Sequence, residues 1–280
     1  MHCILMARCM FRGGQSNNFQ ESEQFPLSVR HIAMIMDGNG RWAESHNKPR
    51  IEGHRNGAHT VRMVVQECVR VGVRYLTLYA FSTENWRRPK EEVQALMQLL
   101  HFHLLSEIDE LHQHGVRVRI MGDRSRLAPD VREAIERAEV FTEKNEKLDL
   151  ILAISYGGRQ EIVDAVRAIA DKVKAGELSS EDIEEDTVTG HLYLPGVPDP
   201  DLLIRTSNES RISNFLLWQM AYTEIVISPF HWPDFSKECF YDCLRQYSTR
   251  HRRFGLTAQQ MAPGLTSEGS DIFVSLNEVV

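Results

Sequence analysis

The feature that most restricts the fold is a regular alternation between short apolar runs of strand length and longer stretches with helical apolar spacing. The strand candidates are His31–Met36, Tyr75–Phe81, Val116–Met121, Leu148–Ser155, Leu202–Arg205 and Glu224–Ser228. Between them, Ala58, Val61, Val65 and Cys68 form one helical stripe, and Val93, Leu96, Leu100, Leu104, Ile108 and Leu111 form a longer one. Pro89 with Glu91 and Glu92 opens that long helix, and Gly115 closes it. Val131, Ile135 and Ala138, then Ile162, Val166, Ile169 and Val173, continue the pattern. Apolar strands separated by amphipathic helices predict an α/β fold, a single domain whose six-stranded, mostly parallel sheet is flanked by helices.

With 280 residues and 42% hydrophobic content, the chain can build one large core. The folded domain is expected over residues 29–256. An N-terminal extension, 1–28, and a C-terminal tail, 257–280, lack periodicity and are expected to be disordered or mobile. Cys3-Ile4-Leu5-Met6 is cut short by Arg8, too soon for a secretory core or a membrane span. A formal net charge of -7 argues against a nucleic-acid partner. The five cysteines include no Cys-x-x-Cys pair, which signals neither a zinc ribbon nor a redox site, and a reducing cytoplasm is expected. The acidic segment Glu177–Pro200 reads as a surface excursion with one short helix.

Parallel sheets bind ligands at the carboxyl ends of their strands. After the first strand stands Asp37-Gly38-Asn39-Gly40-Arg41-Trp42, where glycines permit a tight turn and the next helix start presents N–H groups to a phosphate. Asp37 suits a hard cation. Arg50 and His54 share a helical face and complete a candidate diphosphate cradle. A solvated turn is the bland alternative. A dinucleotide fingerprint is disfavoured because Arg41-Trp42 crowds the turn and Asp37 repels a bare pyrophosphate. After the second strand come Ser82, Thr83, Glu84, Asn85, Trp86, Arg87 and Arg88. After the fifth come Arg205, Arg211, Ile212 and Ser213, a second anion pocket in which guanidinium forks match phosphate oxygens. Glu224, entering the last strand, is a second carboxylate without an obvious local partner. Two anion pockets and two carboxylates imply two phosphorylated substrates bridged by a cation. His101, His103, His112 and His114 read as surface histidines, and Trp218, Tyr222 and Trp232 as core.

Taken together, these segments resemble the cis-prenyltransferases, of the undecaprenyl diphosphate synthase type, from about His31 to Gly255. The likeness rests on His31-Ile-Ala-Met-Ile-Met-Asp-Gly-Asn-Gly-Arg-Trp42, Tyr79-Ala-Phe-Ser-Thr-Glu-Asn-Trp86 with Arg88-Pro89, and Arg211-Ile-Ser-Asn-Phe-Leu-Leu-Trp-Gln219. Trp232-Pro-Asp-Phe235 and Arg252-Arg-Phe-Gly255 complete the set. The resemblance implies sequential cis condensation of isopentenyl diphosphate onto an allylic diphosphate such as farnesyl diphosphate, with Mg2+ held by Asp37 and Glu224. It implies that Gly38, Asn39, Gly40, Arg41, Arg50 and His54 bind the allylic diphosphate and that Trp42 lines the site. Ser82, Thr83 and Glu84 belong to a substrate loop, with the catalytic Asn85 followed by Trp86 and Arg88. Arg205, Arg211, Ile212 and Ser213 then hold isopentenyl diphosphate. It further implies an apolar tunnel tuned near Ala80 and Leu148 and lined by Leu96 and Leu100. A homodimer is implied as well, with Arg253 reaching the partner's site and a peripheral membrane contact for product release.

The chain departs from the family pattern at Ser207, Asn208 and Ser210, where many relatives carry glycines and, in some, a histidine. A non-catalytic partner subunit is the main functional alternative. The presence of Asp37, Asn85, Arg205, Arg211 and Glu224 argues against it.

Overall fold

Six strands form where the apolar runs predict them: β1 (His31–Ile35), β2 (Tyr75–Ser82), β3 (Val116–Met121), β4 (Leu148–Tyr156), β5 (Leu202–Arg205) and β6 (Glu224–Ile227). The computed structural model describes residues 29–250. The expected extension 1–28, the tail 257–280 and the Arg252–Gly255 motif lie outside the described residues. The strand order is β3-β4-β2-β1-β5-β6, and every pairing is parallel. β1 is central and buried along its whole length, and Ile35 at its end pairs with Tyr79 on one side and Arg205 on the other. The chain therefore winds away from β1 in both directions, and the crevice this opens at a strand end is where such sheets bind ligands.

The connecting helices are α1 (Asn39–Ser45), α2 (Arg50–Val71), α3 (Lys90–Gln113), α4 (Pro129–Thr142), α5 (Gly158–Lys174), α6 (Glu185–Thr189) and α7 (Lys237–Ser248). α6 is the short helix expected in the acidic excursion. On one sheet face, Ile32, Met34, Leu76 and Leu78 pack against Val64, Val65 and Cys68 of α2 and Phe240, Leu244 and Tyr247 of α7. Beside them Phe81, Val118 and Ile120 pack against α3 and α4. The alternate residues Ala33, Ile35, Ile151 and Leu203 face the other way, onto Phe215 and Leu216. This two-faced burial explains why the strands are apolar throughout instead of alternating.

Two expectations are corrected here. On α5 the buried face is Glu161, Ala165 and Ile169, while Val166 is 54% exposed. Glu161 turns inward because its carboxylate accepts from the Tyr156 hydroxyl and from Gln219. Tyr222 is 70% exposed and belongs to no core, whereas Trp232 is buried and donates to the Gly57 carbonyl at 2.9 Å. Gly57 is required there: a Cβ would come within 2.5 Å of the Asn39 side chain and 2.7 Å of the Trp232 ring. α1 can thus lie directly on α2, which brings the turn after β1 to the crevice.

Candidate active site

Asp37 leaves β1 at the centre of the carboxyl edge. Its carbonyl accepts from the Thr206 hydroxyl at 2.7 Å, the Ser207 hydroxyl at 2.9 Å and the Trp232 N–H at 3.0 Å. The next residue, Gly38, has φ of 102°, a left-handed conformation that a side chain would strain. The Asp37 carboxylate accepts from the Gly38 N–H at 2.7 Å, Arg41 at 3.0 Å and Arg205 at 2.8 Å. Burial alone would push this carboxyl's pKa up, but the hydrogen bonds and charges of Arg205 and Arg41 outweigh it and hold it below the usual range. Arg205 is itself buried; it also donates to the Ser213 hydroxyl at 2.8 Å and to the Arg211 carbonyl, and its Nε has no partner among the described residues. Arg41 and Arg211 both reach Glu209.

A second basic cluster lies at the starts of α2 and α3. Arg88 pairs with Glu92 at 3.0 Å, and Arg50 lies 3.9 Å from the same carboxylate and against Glu44. His54 sits among them, its pKa lowered to about 4 by burial and by the charge of Arg88, against the pull of Glu92. Between the clusters, Ser82 and Asn85 cap one another: the Asn85 N–H donates to the Ser82 hydroxyl, and the Ser82 N–H donates to the Asn85 amide oxygen. The Trp86 indole donates to the Ser155 hydroxyl at 2.9 Å, and Ser155 is buried with φ of 52°.

Below this rim opens a cavity of about 1050 Å³. Asp37, His54, Asn85, Arg88, Arg205 and Ser213 border its mouth, and Val61 and Val65 of α2, Leu96 and Leu100 of α3, and Leu78 and Leu150 of the sheet line its wall. Ala80 lies on that wall; Leu148 does not, being fully buried beside Val116, its register partner on the cavity surface. Polar and charged side chains interrupt the apolar lining, Gln66, Arg70 and Glu110 among them, together with one ion pair. Arg62 of α2 meets Glu107 of α3, and His103 lies 3.5 Å from Glu107. The contact with His103, then Arg62, lowers the Glu107 pKa to about 2 against its burial. His103 is therefore a half-buried cavity residue, which corrects the expectation of a surface histidine, whereas His114 borders the cavity and is exposed as expected.

The family model "Putative undecaprenyl diphosphate synthase" matches residues 35–255. This chain belongs to that prenyltransferase family. An isoprenyl transferase of Clostridium perfringens is 52% identical over 240 residues, covering 84% of this chain and 95% of the relative. The (2E,6E)-farnesyl-diphosphate-specific ditrans,polycis-undecaprenyl-diphosphate synthase of Vibrio cholerae is 47% identical over 232 residues, 83% of this chain and 93% of that one. Among solved structures, lavandulyl diphosphate synthase from Lavandula x intermedia, in complex with dimethylallyl diphosphate, superposes with a TM-score of 0.79 at 38% identity. The match covers 84% of this chain and all of that one.

The chain is thus a cis-prenyltransferase, and its expected site residues can be placed. Asp37, Asn39, His54, Ser82, Glu84, Asn85, Arg88, Arg205, Arg211 and Ser213 border the cavity. Gly38, Gly40, Arg41 and Arg50 stand behind or beside them in the turn and the two basic clusters. Trp42 is buried and does not line the cavity; its indole donates to Asp234 at 2.7 Å, anchoring α1. Trp86, Thr83 and Ile212 likewise do not line the cavity: Trp86 donates to Ser155, and Ile212 packs on the core around Phe215.

Glu224 requires a correction. It is the first residue of β6, level with Leu202 at the amino end of the sheet, and pairs with Arg250 at 2.9 Å. Because all strands are parallel, it lies at the opposite edge from Asp37, so within one chain the two carboxylates do not share a cation. Sequence reasoning also missed Glu92 and Glu209, which pair with the rim arginines, and Asn214, which donates to Glu84 at 2.9 Å. The only signal was their position in polar loops beside arginines.

Proposed function

We propose that this cis-prenyltransferase extends farnesyl diphosphate with isopentenyl diphosphate units to undecaprenyl diphosphate or a similarly long product, a lipid-carrier precursor for cell-wall glycans. The observation that carries this reading is a rim of arginines opening onto one deep apolar cavity. Charged headgroups and a growing hydrocarbon chain require those two environments side by side. Arg50, Arg88 and His54, with the turn from Gly38 to Arg41, receive the allylic diphosphate. Arg205, Arg211 and Ser213 receive isopentenyl diphosphate. Guanidiniums now spent on Glu92, Glu209 and Asp37 are available for exchange onto phosphate oxygens.

In each cycle the allylic C–O bond breaks, the isopentenyl double bond forms the new C–C bond, and a proton leaves the isopentenyl carbon chain. The arginines stabilise the charge that grows on the departing diphosphate, and the rim fixes the two substrates in reacting order. Asn85 carries no basic lone pair and serves to orient, while a phosphate oxygen accepts the proton.

Asp37 suits Mg2+: it is a carboxylate on the cavity mouth, and no group of three His, Cys, Asp or Glu converges among the described residues. Magnesium commonly takes one or two carboxylates and completes its shell with substrate phosphates and water, and it would neutralise the leaving group. Glu224 and Arg253 enter this reading through a homodimer, each serving the partner's site. No helix among the described residues is long and apolar enough to cross a membrane. A cytoplasmic enzyme touching the membrane peripherally fits the reading.

Incubation with radiolabelled isopentenyl diphosphate and farnesyl diphosphate, with products sized by chromatography, tests the proposal. A ladder ending at a long polyprenyl diphosphate is expected. Incorporation that stops after one addition, or none at all with magnesium present, would overturn it.

A further inference from the structure

Ser207 is the residue of the rim whose chemistry the reaction leaves unused. It is buried, and its φ of 71° and that of Asn208, 55°, put two consecutive non-glycine residues in the left-handed region. Backbone bonds hold them there: the Ser207 N–H donates to the Phe230 carbonyl at 2.7 Å and the Asn208 N–H to the Ser228 carbonyl at 2.9 Å. This geometry aims the Ser207 hydroxyl between two groups, the Asp37 carbonyl oxygen at 2.9 Å and the His231 Nδ1 at 2.8 Å.

A hydroxyl has one hydrogen, and a carbonyl oxygen only accepts. If Ser207 donated to His231, its oxygen would face the Asp37 carbonyl lone pair to lone pair. The order is therefore fixed: His231 Nδ1–H donates to Ser207 Oγ, whose hydrogen goes to the Asp37 carbonyl. Both groups also wall in the next peptide. A Cβ at Gly38 would collide with Ser207 Oγ and stand 2.6 Å from His231 Nδ1.

We infer that Ser207 and His231 are a coupled positioning pair that fixes the Asp37–Gly38 peptide and thereby the aim of the Asp37 carboxylate. His231 acts through Ser207, and neither touches substrate. The inference rests on the proposed role of Asp37 for its kinetic consequence and on geometry alone for the hydrogen-bond order.

Two measurements test it. Imidazole nitrogen NMR of the 15N-histidine-labelled full-length protein, with the His231 signal assigned from its loss in His231→Asn, should show Nδ1 protonated. In Ser207→Gly, which keeps the left-handed turn, that preference should disappear. An Nε2-protonated neutral His231 in the unsubstituted protein would overturn the pair, and needs no variant to fold. In steady-state assays, Ser207→Ala and His231→Leu should each lower kcat about tenfold, the effect of one lost hydrogen bond, with both Michaelis constants little changed. The double variant should be no worse than the poorer single. His231→Asn, which places an amide N–H near the lost Nδ1–H, should recover most of the rate. Multiplying effects in the double variant, or no recovery with asparagine in a protein of unchanged melting temperature, would show two independent packing residues. Should the unsubstituted protein extend no prenyl diphosphate, the proposed function fails while the NMR result still decides the pair.

Discussion

The two ends of the same parallel sheet are finished differently. At the amino end the groups that start β1, β5 and β6 are paired: His31 bonds Pro198 at 2.6 Å and Thr77 at 2.7 Å, Asp201 accepts from the Arg30 and His31 N–H groups, and Glu224 holds Arg250. At the carboxyl end, Arg205 Nε and Asn39 Oδ1 are buried without partners among the described residues, and Ser155, Ser207, Asn208, Ser213 and Asn214 all carry positive φ. Unspent hydrogen-bonding capacity and backbone strain cost stability and persist where surrounding structure enforces them. Within one chain, the pairs at the amino end hold the sheet together, and the carboxyl end is prepared to hold something else.

The largest effect expected at the carboxyl end is on turnover. Asp37→Asn keeps the shape of the side chain and removes its charge, and should lower kcat about 10²–10³-fold, the scale of losing one preorganised transition-state contact. Near-normal turnover at saturating magnesium would erase the proposed distinction between the ends. At the amino end the matching effect is on stability. Burial lowers the pKa of His31 from 6.5 to about 4 in the folded protein. Unfolding therefore takes up a proton in this range, and stability is full above pH 6.5 and falls as pH drops towards 4, by about 3 kcal/mol in all. Denaturant melts across that window should show the loss, and His31→Gln should flatten it.

His54, at the cavity mouth, is lowered similarly and adds to the same slope. A bound diphosphate favours its imidazolium, so inorganic pyrophosphate should reduce the His54 share and leave that of His31 untouched. Equal response of both histidines, followed by NMR titration, would break the comparison. Next in size, Arg205→Ala should raise the Michaelis constant for isopentenyl diphosphate roughly tenfold to a hundredfold, from a charged contact of about 1.5–3 kcal/mol. The constant for the allylic substrate should move less, and the reverse selectivity would mean the two pockets are exchanged. The smallest effect belongs to Ser155→Gly, which relieves a left-handed serine and loses the bond to Trp86. These changes oppose one another, so stability should stay within about 1 kcal/mol, while amide exchange at residues 83–87 should quicken. Unchanged exchange would show that Ser155 does not brace the substrate loop.

The sheet was legible in the sequence because strands buried on both faces leave uninterrupted apolar runs, and all six start where expected and end within one residue of the expected bound, Val116–Met121 and Leu202–Arg205 without any difference. The α5 face was not, because periodicity treats a glutamate as solvent-facing, and Glu161 is satisfied internally by Tyr156 and Gln219. Most cavity-mouth residues were legible from one rule about strand ends. Glu224 shows the rule ignored: it enters its strand instead of leaving it, which already put it at the wrong edge. Glu92 and Glu209 were hidden because an acid beside arginines looks like ordinary surface until the fold shows what those arginines face.

The bonds joining Asp37 to Arg205, Thr206 and Ser207 span 168 to 170 positions of chain. During synthesis, β1 and its turn exist long before the residues that complete them, and the central strand has only β2 beside it until β5 is made. Closing so long a loop is entropically costly and gains little until the neighbouring contacts form together. The rim is therefore completed late: until β5 is made, Asp37 lacks the Arg205, Thr206 and Ser207 partners that fix it, and the chain holds half a rim.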